Sequence, residues 1–103
     1  MKFEFEPKLI EYIKKHKHTT IAVEMVEINN SDFEISELHV HFVNDRMRNQ
    51  FIEKSRYRCI KTDYCDVLLP PFPLEIDETV TFGLKSVLFF HTLTYKGIVC
   101  KYA

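Results

Sequence analysis

The chain has 103 residues, 46% of them hydrophobic and 28% charged, with nine Phe, five Tyr and a formal charge of -1. A chain of this length is expected to fold as one domain, residues 1–103, burying roughly two-thirds of the surface its unfolded form exposes and leaving no room for a separate cofactor domain. The hydrophobic content excludes disorder, and Lys and Arg scattered among acids exclude the basic field that a phosphate backbone requires, so no nucleic-acid partner is expected.

No run approaches the roughly 18 apolar residues of a membrane helix, and Met1 to Glu6 lacks the basic-then-apolar order of a signal peptide. No membrane partner is expected, and the expected location is cytoplasmic. Three cysteines, Cys59, Cys65 and Cys100, are an odd number at irregular spacing, which fits reduced thiols better than a disulfide framework.

In chain order, Pro7 suits the first turn of a helix, where its missing N–H costs nothing, and Leu9, Ile10 and Ile13 follow at helical spacing. A short helix is predicted from Pro7 to Lys15. The run Lys14-Lys15-His16-Lys17-His18 ends it, with cationic side chains favourable near exposed helix carbonyls. Thr19 to Ile28 reads as a strand, Asn29-Asn30-Ser31-Asp32 as a turn and Phe33 to Val43 as a second strand, together an antiparallel hairpin. Asn44 or Asp45 can cap a second short helix to about Lys54. Tyr57 to Lys61 and Asp66 to Leu69 read as short strands, and Pro70-Pro71-Phe72-Pro73 as a stiff connector. Glu78 to Leu84, Ser86 to Tyr95 and Ile98 to Tyr102 read as strands, with Gly97 allowing a turn or bulge before the last.

The predicted fold class is α+β: a mainly antiparallel β sandwich or roll with two short helices. The predicted core is Leu9, Ile13, Ile21, Val23, Leu38, Val40, Phe42, Phe51, Val80, Phe82, Val87, Phe89 and Leu93.

The most informative stretch for chemistry is Glu37-Leu38-His39-Val40-His41-Phe42. Strict alternation places Leu38, Val40 and Phe42 on one strand face and Glu37, His39 and His41 on the other. Two imidazoles and a carboxylate suit a single divalent ion such as zinc or ferrous iron, so Glu37, His39 and His41 are the candidate metal ligands, with Cys59 or His91 as a further group the fold could bring near. The plainer reading of the same row is the solvent face of a half-buried sheet. His91 lies in a strongly apolar run, where a hydrogen-bonded core role is expected. Cys59 and Cys65 lack the C-x-x-C spacing of zinc knuckles and redox pairs. Gly83 and Gly97 are the only glycines, so there is no glycine-rich phosphate loop. No catalytic residue and no bound cofactor are assigned.

The order of an amino-terminal helix, a strand pair, the Leu38 to Val43 strand with a short helix after it, the Leu74-Glu75-Ile76-Asp77-Glu78-Thr79-Val80 approach to a strand, and then Ser86 to Ile98 resembles the HesB-like fold of A-type iron-sulfur carriers. It is more similar to the small bacterial and archaeal proteins called the CC/Se-motif group. The resemblance implies a HesB-like domain and a habit of subunit association. It does not extend to the cluster ligands. The carriers use one mid-chain cysteine and a Cys-x-Cys pair near the end, whereas this tail, Gly97-Ile98-Val99-Cys100-Lys101-Tyr102, has a single thiol; the CC/Se group places paired cysteines where this chain has Asn29-Asn30-Ser31-Asp32.

The expectation is therefore a HesB-like binding or scaffold protein that has lost the iron-sulfur ligands, with a divalent-metal protein or metalloenzyme using the His39, His41 and Glu37 face as the alternative. The expected partners are a second copy, forming a dimer through an edge near Gly97, or another protein.

Overall fold

The computed structural model describes residues 2–29, 34–71 and 74–100, with side chains at 27–29, 34–36 and 100 left out of the description. The expected turn at Asn29-Asn30-Ser31-Asp32, much of the proline-rich connector and the Cys100 side chain therefore lie outside the described residues.

The elements are β1 (Lys2–Phe5), α1 (Pro7–His16), β2 (Thr20–Asn29), β3 (Glu34–Phe42), α2 (Asp45–Glu53), β4 (Arg58–Lys61), β5 (Asp66–Leu69), β6 (Leu74–Val87) and β7 (Phe90–Cys100). They form two mixed sheets, β1-β6-β7 and β3-β2-β5-β4. Three of the five pairings are antiparallel; β1 with β6 and β2 with β5 are parallel. The α+β class and the two short helices match the expectation.

Pro7 opens α1, and Leu9 and Ile13, four residues apart, carry its buried stripe. Its end is closed by Lys17 in the left-handed region at φ 54°, which lets the His18 amide donate to the Ile13 carbonyl at 3.1 Å. In α2 the Asn44 side chain accepts from the Met47 amide at 2.9 Å, as the capping reading predicts.

Leu9 and Ile13 join Ile21, Val23, Val67, Leu69, Val80, Phe82 and Ile98 in the main core between the sheets, with Leu38, Val40, Phe42 and Leu93 packed against it. The four-stranded sheet is also covered on its outer side. There Ala22, Val43, Tyr57 and Leu68 pack with Phe51 and Ile52 of α2. Strands buried on both faces lose their alternation, which is why Ile21, Ala22 and Val23, and again Val67, Leu68 and Leu69, are consecutive and fully buried.

One strand is unannounced in the sequence, and the expectations for Ser86 to Tyr95, for two core residues and for Gly97 are corrected. Lys2–Phe5 is a strand paired with Thr79–Phe82, a partner so distant in sequence that no local pattern announces it. Ser86 to Tyr95 is not one strand: β6 runs to Val87, the chain reverses through Leu88 and Phe89, and β7 starts at Phe90. Val87 and Phe89, assigned to the core, are instead exposed, at 54% and 94%. Gly97 lies within β7 at φ 92°, beside a register irregularity between Ile76 and Thr81, so the bulge expected there interrupts a single strand.

Candidate functional site

The alternation of β3 does what the sequence predicts: Leu38, Val40 and Phe42 face the main core and Glu37, His39 and His41 face outward. The outer side of the sheet is open here because α2, nine residues and about 13 Å long, covers Ala22 and Leu68 but ends short of the residues further along β2 and β3. Phe51 of α2, its ring centroid 6.5 Å from that of His41, marks the edge of that cover.

The antiparallel register sets Glu24 of β2 directly opposite His39, and Ala22 opposite His41. Two imidazole–carboxylate pairs result. His39 Nε2 lies 3.3 Å from Glu37 Oε2, both side chains half exposed, and His41 Nε2 lies 2.9 Å from Glu24 Oε2, both about one-third exposed. Each contact is ionic only while the imidazole carries its second proton. Glu24 is the member that sequence reasoning missed, since its place follows only from strand register. As the side chains stand, the four groups divide into pairs, and among the described residues no three His, Cys, Asp or Glu side chains converge on one point.

Tyr57 borders this face and is buried. Burial holds its phenol above the usual tyrosine range, the Glu24 charge pushes the same way, and a hydrogen bond from the Met25 backbone pulls against both.

The two described thiols do not share a site. Cys59 belongs to the α2 side of the sheet, where Arg48 Nη2 donates to its Sγ at 3.5 Å, and Cys65 is buried in the main core on the opposite side. Separated by the sheet, they do not fit an iron-sulfur cluster, which needs thiolates converging on one point. Neither Cys59 nor His91 is part of the Glu37, His39 and His41 row among the described contacts.

A second grouping was not legible in the sequence. Tyr12 of α1 has the rings of His16, His18 and His91 around it, at centroid distances of 4.3, 5.6 and 5.1 Å, and His18 stacks on Phe42 at 3.8 Å with the planes 5° apart. His91 is hydrogen-bonded, as expected, with its Nδ1 2.7 Å from Ser86 Oγ, but it is exposed and not in the core. Tyr12, Val40, Phe42, Leu84, His91 and Leu93 line a groove of about 220 Å³ between β3 and β7. Further along the same seam Tyr95 Oη donates to the Leu38 carbonyl at 3.3 Å.

The other feature is the β6–β7 tip, where Val87, Leu88, Phe89 and Phe90 are 54%, 87%, 94% and 74% exposed. Among the described residues no helix is long and apolar enough to cross a membrane. Set against known proteins, the chain matches no family model, no curated protein and no solved structure.

Proposed function

We propose that the chain is a HesB-like binding or scaffold protein, without catalysis of its own and without a cluster site, that acts by presenting the β6–β7 tip to another macromolecule. The observation that carries this reading is the tip itself: four consecutive large apolar side chains held in water. Scattered exposed apolar residues are ordinary, whereas a contiguous patch of several hundred Å² is often functional. The resemblance to the HesB-like fold supplies the fold name, and the separation of Cys59 from Cys65 supports the loss of the carriers' iron-sulfur chemistry. The odd number and irregular spacing of Cys59, Cys65 and Cys100 support a cytoplasmic setting.

The test uses an apolar dye, anilinonaphthalene sulfonate, and a variant carrying Leu88→Gly and Phe89→Ser. The wild type is expected to enhance dye fluorescence and the variant to lose most of that enhancement while melting at the same temperature or higher. Equal fluorescence from both proteins would remove the tip from consideration as the binding surface.

The second reading is a divalent-metal site at Glu37, His39 and His41, and the 3.3 and 2.9 Å imidazole–carboxylate contacts favour it. Here Glu24 joins as a fourth donor, and rotation of these half-exposed side chains would supply nitrogen and oxygen ligands of the kind zinc accepts. Calorimetric titration with zinc separates the readings: binding that disappears in a His39→Ala, His41→Ala variant supports the metal site, and no heat of binding counts against it.

A further inference from the structure

The tip of the β6–β7 hairpin is built against local preference in two independent ways. Val87 and Phe90 face each other in register, so the reversal consists of Leu88 and Phe89 alone. Leu88 has φ 56°. A positive φ at the first residue of a two-residue hairpin turn suits glycine, and a bulky side chain there is strained. The same four residues hold their apolar surface in water, roughly 500 Å² in total if an aromatic side chain carries about 150–250 Å². Neither feature helps the hairpin form. Strain and exposure together indicate that these side chains are selected for what they touch outside the chain.

From these observations we infer that the tip is a homodimer contact, in which a second copy of this chain packs its own Val87, Leu88, Phe89 and Phe90 against the first. The inference rests on the binding-protein reading above and names the partner. Area is compatible with it: two such tips brought together bury at most about 1,000 Å², the lower limit for a specific interface and the size expected of a weak, concentration-dependent dimer. Shape supports it. A hairpin of antiparallel strands meets its own copy about a two-fold axis, with the Val87 and Phe90 end of one against the Leu88 and Phe89 end of the other, an isologous and closed arrangement. The formal charge of -1 leaves no long-range repulsion between copies. At the rim stands Lys85, and the chain has no Asp or Glu after Glu78, so the two rims repel each other at short range and added salt, by screening that repulsion, tightens the contact.

Sedimentation equilibrium tests this from micromolar to millimolar protein, comparing wild type with the Leu88→Gly, Phe89→Ser variant and with Phe89→Ser alone. Glycine relieves the positive φ, so the double variant keeps its fold while losing apolar surface; the single variant guards against a folding defect. The wild type is expected to pass from monomer to dimer mass, with the dissociation constant raised at least tenfold in both variants and lowered by salt in the wild type. A wild type that stays monomeric, or a dimer indifferent to both variants, overturns the inference. If the wild type is monomeric yet its dye binding still depends on the tip, the second copy is wrong and the binding surface stands; if dye binding also ignores the tip, both fail. A basic rim around an apolar tip also suits anionic lipid, so the proteins are spun with phosphatidylserine–phosphatidylcholine vesicles. Tip-dependent pelleting of a monomeric wild type would replace the second copy with a lipid surface.

Discussion

At His18 the fold works against a proton. The imidazole lies flat on Phe42, which takes water from one face, and its pKa is lowered from the usual 6.5 first by that burial and then by the neighbouring His16 charge. The unfolded chain therefore binds a proton more readily than the folded one, and stability rises with pH across the interval below 6.5 down to the folded pKa. His18→Gln is expected to flatten that part of a urea-denaturation pH profile; an unchanged slope would assign it elsewhere. Cys65 shows the opposite consequence of burial. Its thiol is pushed up to about 12 by desolvation, with the Asp66 charge adding to it. Thiolate is the reactive form, so iodoacetamide at neutral pH should label the half-buried Cys59 well before Cys65 in the native protein. Peptide mass spectrometry reads the order directly, and equal labelling would show that Cys65 is not enclosed.

At the element scale, β6 and β7 approach each other closely at Gly97. A Cβ at Gly97 would lie 2.5 Å from the Thr79 carbonyl oxygen and 3.3 Å from Val80 Cα, both backbone atoms with little room to yield, and φ is already 92°. Gly97→Ala is expected to cost about 2–3 kcal/mol by urea denaturation, the range for backbone strain with a steric clash. A loss within the scatter of surface substitutions would mean that the bulge relaxes freely. The elements also show what a sequence can announce. Pro7 and Asn44 mark helix starts because their effect is local, and the alternation from Leu38 to Phe42 assigns both faces of β3 correctly. The turn at Leu88 and Phe89 is silent because it uses none of the residues that favour such a turn, so an apolar run that reverses direction looks like one strand. β1 is silent for a different reason: its partner is β6, far along the chain. The same limit applies to the polar face, where Glu37, His39 and His41 follow from alternation but Glu24 follows only from the register of β2 against β3.

Among the described residues, the imidazole–carboxylate pairs and the exposed apolar tip lie on different sheets. The main core joins the two sheets, α2 covers the outer side of the second sheet, and the face beyond it carries the two imidazole–carboxylate pairs. The uncovered apolar side chains concentrate at the end of the hairpin between β6 and β7. The proposed association runs through that end. An amide NMR spectrum recorded over a series of protein concentrations tests it most directly, because each residue reports separately. The account predicts that the resonances of Val87, Leu88, Phe89 and Phe90 shift progressively with concentration while those of Glu37, His39 and His41 stay fixed. Concentration-independent resonances at the tip, or shifts centred on the Glu37 to His41 face, would contradict it.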